Sequence, residues 1–503
     1  MSPPPPPLIV TGRLVTMDPA QPVIEDGALY IGADEKFAAV QKRSEPAPPG
    51  FEGAPTLEIG GNVYPGLIDL HGHMVYNALS LWSPPGRTDP YTTRYQWPKD
   101  HSYEGLVSDP ANALGALAGK AMLKYVEVKA VIGGVTAVQG SAKMAYPYEG
   151  WLVRNIEYET FKTKKKSVYQ SALPLKGPED YAKQRQRMLD GGAFIYHVSE
   201  GTDPELIGEY DTLRDQDCLQ PTFVAIHCTA LTADNYAEWA PKGGSVVWSP
   251  FSNVWLYRDT TKVVEARDAG MRVCLGSDWS PSGSKNLLGE LKVAALWNKV
   301  RLNDAFTPQE LCEMATCNPA DALGWGDRLG RLKVGLHGDF MATADRGGDP
   351  YANLITSREH DVLFVAINGQ PFYGTNELMA ASGAANVEPI SVGGFERSIV
   401  LVYPGIKDAD WGWQKVLDDI AEAKADPVKR YLEIEKLHAV GKPPPWLMTD
   451  KPWDSPAHTG KPVPVTVEIP PLDPLVHDSS YFDAIDASPI QGGLLDAIRG
   501  DYA

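Results

Sequence analysis

Cysteine is scarce. The 503 residues hold five, at 218, 228, 274, 312 and 317, an odd number with no C-x-x-C pair. That excludes a disulfide scaffold and reads as reduced thiols in a cytoplasmic protein. Positive charge is also short: 46 Lys and Arg against 64 Asp and Glu leave a formal net charge of -18. Such an acidic surface repels phosphate backbones and anionic lipid, so neither nucleic acid nor a membrane is expected as a partner. No apolar run approaches the roughly 18 residues of a membrane span. The N-terminus, Met1-Ser2 followed by prolines at 3–7, lacks the basic and apolar regions of a signal peptide. A glycine-rich phosphate cradle is missing too. The Gly pairs at 60–61, 133–134, 191–192 and 243–244 each sit just before an apolar run, where a turn explains them.

What is present is an ordinary globular composition, 43% apolar and 22% charged, with material for a sizeable core. Residues 8–17 and 27–40 are apolar, β-branched runs that read as strands, the second turning near residues 32–35. The Pro-rich stretch 41–57 reads as a loop. From 62 to about 325, eight short apolar runs alternate with helix-like stretches, at 63–71, 134–141, 151–158, 167–175, 193–199, 221–227, 244–250 and 271–278. Buried parallel strands read as near-continuous apolar runs, and eight such units over about 250 residues predict a (β/α)8 TIM barrel, an α/β fold. Strand-like runs return at 334–344 and 362–373. They are expected to pair with the first 60 residues in a small composite β-sandwich domain built from both chain ends. The expected division is 1–61 and 329–378 for that β-domain, 62–328 for the barrel, and 379–503 for a helical, Pro-rich C-terminal extension. The extension can wrap the barrel or exchange with a second subunit in a homo-oligomer. Its Trp411, Trp413, Trp446 and Trp453 offer apolar area for either.

Barrel active sites form at the C-terminal ends of strands. His71 and His73 end the first run as H-x-H. Residues two apart on an extended strand face one side, so both rings can meet at one point. His197 ends the fifth run, His227 the sixth and Asp278 the eighth. Imidazole nitrogens with one carboxylate are a good ligand set for a divalent ion, Zn²⁺ first, with Fe²⁺ or Mn²⁺ also accepted. The other His residues end no barrel run.

With these residues in place, PGLIDLHGH (65–73), HVSE (197–200), AIHC (225–228), SPFSN (249–253) and LGSDWS (275–280) resemble the amidohydrolase superfamily. The resemblance covers about 8–375. It is closest to the branch of cytosine and guanine deaminases and triazine hydrolases. It implies one divalent metal ion held by His71, His73, His197 and Asp278, with His227 beside the site polarising water or substrate. Asp278 would also serve as general base, and Glu200, in H-x-x-E, as the proton shuttle. A bound divalent ion lowers the pKa of water from 15.7 towards about 7, which supplies hydroxide at neutral pH. Binuclear members bridge two metals through a carboxylated Lys on the fourth strand. Lys176, just past the fourth run, reads here as a loop Lys facing water.

The expected function is therefore hydrolysis of a non-peptide C–N bond, by deamination of an amino- or imino-substituted heterocycle. Two alternatives stand beside it. One is an amidase or cyclic amidase with two metals, and the other a catalytically silent barrel that binds a partner. The long loop after the first run carries Tyr76, Trp82, Tyr91, Tyr95, Trp97 and Tyr103, and Trp279 follows Asp278. Aromatic walls suit a flat, ring-containing small molecule. Trp82, Ser252, Asn253 and Trp279 are the candidates for substrate contact. Arg87, Arg94 and Lys285 can meet a substrate carboxylate but read first as surface charges.

Overall fold

The computed structural model describes residues 6–140, 152–163, 165–402, 412–427, 429–430, 432–433, 436 and 469–502. Four strands form first: β1 (Leu8–Val15), β2 (Val23–Ile31), β3 (Phe37–Lys42) and β4 (Thr56–Pro65). Eight short strands follow: β5 (Leu67–Asp69), β6 (Val135–Val138), β7 (Arg154–Asn155), β8 (Val168–Ser171), β9 (Ala193–Val198), β10 (Phe223–His227), β11 (Ser245–Trp248) and β12 (Arg272–Leu275). Five more close the series: β13 (Phe340–Ala344), β14 (Val362–Ile367), β15 (Gln370–Gly374), β16 (Glu388–Val392) and β17 (Phe395–Ile399).

Each of the eight runs expected to line a barrel contains one of β5 to β12. They form two parallel sheets, β5-β6-β7 and β12-β11-β10-β9-β8. A parallel bridge between Gly72 and Asp278 ties the β5 edge to the β12 edge. Helices separate the strands, among them α1 (Asp109–Ile132), α2 (Gly177–Leu189), α3 (Ile207–Asp215), α4 (Ala233–Trp239), α5 (Pro250–Tyr257), α6 (Val263–Asp268) and α7 (Leu287–Arg301). This is a TIM-barrel-like α/β fold. Its strands read AFIYHV, FVAIH and SVVW because both faces are covered, and every residue in those three is buried.

The run at 63–71 divides. Val63 to Pro65 finish β4 in another sheet, while Leu67 to Asp69 start the parallel set. Pro65 lacks the N–H that a ladder uses, and Gly66 passes so close to Thr136 that a Cβ would lie 2.2 Å from its Oγ1. The chain can change sheets there.

The two chain ends build one nine-stranded sheet in the order β16-β17-β15-β14-β13-β4-β1-β2-β3. The join is antiparallel, with Met341 opposite Tyr64 and Ala342 opposite Val63. Leu14, Leu29, Val63, Phe340 and Phe364 are buried on it. The sheet runs on to Ile399, past residue 378, because β17 pairs with β15 and β16 with β17.

The helix Trp413–Ala425 packs against α1, and Trp413 stacks on Tyr125 at 5.9 Å between centroids. Residues 469–502 also lie on their own chain. Asp473, 2% exposed, accepts from Lys129 Nζ at 2.7 Å and Lys285 Nζ at 2.5 Å. Its backbone N–H donates to Ala78 O at 2.9 Å. Arg258 donates to Pro489 O and Ile490 O and also to Thr88 O, and Ser83 Oγ donates to Ser488 Oγ at 3.1 Å. The segment thus fastens the loops that follow β5, β11 and β12. Trp411, Trp446, Trp453 and the arm at 441–468 fall outside the described residues.

Candidate active site

His71 lies two residues past the end of β5, and its backbone N–H donates to Asp69 Oδ1 at 3.1 Å. The same oxygen accepts from Ser277 N at 3.1 Å, so one buried carboxylate links the H-x-H segment to the Gly-Ser-Asp turn after β12. Burial pushes the Asp69 carboxyl up to about 6, against the Ser277 hydrogen bond. Gly276 is required by the same approach. A Cβ there would lie 2.3 Å from His71 Cβ.

The imidazoles converge. His71 Nε2 lies 3.2 Å from His73 Nε2 and 3.1 Å from His197 Nε2. Asp278 Oδ1 is 3.3 Å from His71 Nε2 and 3.6 Å from His73 Nε2. Ser249 Oγ sits 2.9 Å from His71 Nδ1 and fixes the ring from behind. Burial and the neighbouring rings hold His71 and His197 well below the usual imidazole range, and burial brings His73 down to about 4. All three are neutral at pH 7, with nitrogens aimed at one point beside a carboxylate. Neutral imidazoles and one carboxylate are the donor chemistry of a divalent metal site, and these residues fit such an ion. Among the described residues His227 also lies within ligand distance of His71 and His197.

The backbone bends sharply at this rim. Ser199, His227, Cys228 and Asp278 have φ of 50°, 67°, 55° and 61°. Non-glycine residues seldom adopt the left-handed region, and the bends turn successive strand ends into the mouth. Hydrogen bonds hold them, with Asp278 N donating to His71 O at 2.7 Å and Cys228 N to Val198 O at 2.9 Å.

Glu200 is 4% exposed and lies beyond the imidazoles. Its Oε1 accepts from Tyr257 OH at 2.6 Å, and its Oε2 lies 3.6 Å from His227 Nε2. Burial raises the carboxyl, against the pull of Arg94 and of the Tyr257 phenol. Burial likewise raises Asp278 well above its ordinary value, and Glu200 adds to it. Burial and the Arg94 charge bring His227 down to about 3.

The four candidates for substrate contact divide. Trp279 stands by the site, 6.4 Å from His73 and 5.0 Å from Trp97 between ring centroids, with Tyr76 at 5.3 Å. Trp82 is turned into its own loop, against Tyr91 and Tyr103, with its indole N–H on Ser102 Oγ at 3.2 Å. Ser252, 1% exposed, lies 2.8 Å from Ser282 Oγ and hydrogen bonds Asp278. Asn253 is fully buried, its amide taken up by His227 Nδ1 at 3.0 Å and Thr260 Oγ1 at 3.2 Å. Two expected surface charges are not on the surface. Arg94 is 7% exposed and Lys285 3%. Lys176, at the start of α2, is exposed, with its backbone N–H on Asp180 Oδ2.

Sequence reasoning missed Asp69, although it sits two residues before His71 in the same apolar run. Tyr257 stood out only as one of the aromatic residues, with Trp248, Phe251 and Trp255, around the seventh run, and its bond to Glu200 carried no signal.

Residues 190–372, which include His197, Glu200, His227 and Asp278, match the Amidohydrolase family model. The 5-methylthioadenosine/S-adenosylhomocysteine deaminase of Syntrophobacter fumaroxidans is 26% identical over 409 residues, covering 72% of this chain and 92% of its own. Residues 190–372 of the chain are thus similar to the amidohydrolase family. Solved structures share the fold of this chain. An atrazine chlorohydrolase from Arthrobacter aurescens complexed with zinc superposes with a TM-score of 0.59 at 19% identity, over 73% of this chain and 95% of that one. An adenosine deaminase from Xanthomonas campestris with bound zinc gives 0.55 at 21%, over 73% and 93%.

Proposed function

We propose that this chain is an amidohydrolase that hydrolyses a non-peptide C–N bond, releasing ammonia from an amino- or imino-substituted heterocycle. The observation that carries the reading is Glu200, a buried carboxyl held by Tyr257 and facing His227, beside the convergent histidines and Asp278. A ring nitrogen must gain a proton as water adds, and the departing amine must gain another. A carboxyl that burial pushes towards its acid form can supply the first and relay the second.

His71, His73, His197 and Asp278 would hold one divalent ion, and Lys176 on the surface supplies no bridge to a second. Held there, such an ion would supply the Lewis acidity that brings water towards deprotonation near pH 7. Asp278 takes the proton that the attacking water loses. Glu200 gives its proton to the ring nitrogen, is left as the carboxylate beside His227, and is recharged by the proton that Asp278 took, which it passes to the departing amine. Trp279, Trp97 and Tyr76 form an aromatic wall that would orient a flat ring. Relatives named as 5-methylthioadenosine/S-adenosylhomocysteine, adenosine and guanine deaminases support this substrate class. We read the eight strands as one closed barrel bearing this site, flanked by the β-domain of both chain ends. The five cysteines, all buried and unpaired, support a cytoplasmic setting.

The test is ammonia release from a panel of aminated purines, pyrimidines and triazines, run beside hydantoins, lactams and N-acyl amines. Ammonia from an aminated ring carries the proposal. Turnover of the amides alone overturns it in favour of an amidase, and bound metal with no turnover on either set favours a silent barrel.

A further inference from the structure

We infer that Asn253 is a positioning residue that sets the tautomer of His227, placing the imidazole hydrogen on Nε2, towards Glu200 and Asp278. This rests on the reading of His227 as a group that faces the reacting centre. It assigns Asn253 a task other than touching the substrate.

Trp248 anchors a chain of hydrogen bonds, because its indole nitrogen can only donate. Trp248 Nε1 donates to Thr260 Oγ1 at 2.7 Å. The single hydrogen of the Thr260 hydroxyl then points to Asn253 Oδ1, 3.2 Å away. The neighbouring Thr261 hydroxyl donates to His227 O at 2.5 Å. With Asn253 Oδ1 facing the hydroxyl, its NH₂ faces His227 Nδ1 at 3.0 Å, so Nδ1 is an acceptor and Nε2 carries the hydrogen. Turning the amide over would leave the buried Thr260 hydroxyl hydrogen with no acceptor, a costly state. Trp248, Asn253, Thr260 and His227 are all 3% exposed or less, so no water competes in this chain.

The other side of the ring agrees independently. Nε2 faces Glu200 Oε2 at 3.6 Å and Asp278 Oδ2 at 3.9 Å. A nitrogen lone pair would be repelled by the ionised Asp278 carboxylate, whereas an N–H can donate to it. The consequence is functional. His227 sits within ligand distance of His71 and His197, yet with a hydrogen on Nε2 it offers no lone pair to a metal ion. It serves as a hydrogen-bond donor to whatever oxygen develops charge in the mouth. The Trp248–Thr260–Asn253 chain therefore separates a three-histidine ligand set from a fourth imidazole of similar proximity.

The test uses the full chain with its native metal, labelled with ¹⁵N-histidine, its His227 signals assigned by their loss in His227→Gln. We expect an unprotonated Nδ1 and a protonated Nε2. In Asn253→Asp the carboxylate accepts from Nδ1–H, so Nδ1 becomes protonated. Turnover should fall about 100-fold or more while metal content per chain is unchanged, the scale of losing one well-placed donor. Thr260→Val should show both tautomers, and Thr260→Ser, which keeps the hydroxyl, should restore the parent pattern. A proton on Nδ1 in the parent protein, or an unprotonated Nδ1 in Asn253→Asp, overturns the inference. If Asn253→Asp does not fold, the parent spectrum and the Thr260 pair decide the matter. The spectra need no substrate, so they separate this inference from the deaminase reading, which ammonia release tests alone.

Discussion

Tyr257 donates its phenol hydrogen to Glu200 Oε1 at 2.6 Å, while the other oxygen of the same carboxyl faces His227 Nε2 at 3.6 Å. The phenol stabilises the ionised form of Glu200, and burial opposes it. In Tyr257→Phe the carboxyl should rise further, so its acid form persists to higher pH. The alkaline limb of the pH–rate profile should then move up, with a several-fold loss of turnover at its plateau. Glu200→Gln should lose about 10²- to 10⁴-fold in turnover and keep its metal. Loss of the metal in that variant would make Glu200 a ligand instead.

Gly276→Ala should disturb the metal site without touching a ligand. The new methyl would lie 2.3 Å from His71 Cβ and 2.8 Å from His71 N, atoms that have no room to yield between β5 and β12. Elemental analysis of the purified variant should show substoichiometric metal. Full occupancy with parental activity would contradict the packing described.

Asp473→Asn should destabilise by about 3–5 kcal/mol, because it leaves Lys129 and Lys285 buried with no counter-charge. Burial already brings Lys129 down to about 8 even with Asp473 beside it. The variant's deficit should therefore shrink as pH rises through 8 and the ammonium is lost. Thermal denaturation at pH 7 and pH 9 checks this, and a deficit independent of pH would argue against it.

How much of this was legible in the residues follows from what each feature depends on. His71, His73, His197, His227 and Asp278 stand out because each ends an apolar strand, a local pattern. The β16–β17 hairpin beyond residue 378 does not, since Glu388 to Ile399 mixes polar and apolar residues on a sheet edge. Arg94 and Lys285 read as surface charges because their burial depends on distant chain. Asp473 reaches Lys285 across 188 positions, and no local pattern announces it. Asn253 sits in SPFSN, where a polar side chain near a strand end reads as substrate contact. Only the placement of Thr260 and His227 turns it inward.

Glu127 on α1 provides a pH-dependent stability prediction away from the site. Burial raises it to about 7, against Lys124 and the Val153 and Leu152 N–H donors. Its folded pKa lies above the unfolded value of about 4.3, so the folded state binds more protons between the two. Stability is full below the unfolded value and falls as pH rises towards 7. Glu127→Gln should flatten that slope, so it should look more favourable at pH 8 than at pH 5 by denaturant titration. An equal effect at both would contradict the assignment.

The most direct test of the account is metal per chain, measured by elemental analysis on protein purified without added metal or chelator, for the parent and for His73→Ala. The account predicts close to one ion per parent chain and a large loss in the variant. Two ions per chain, or one ion retained without His73, would contradict it.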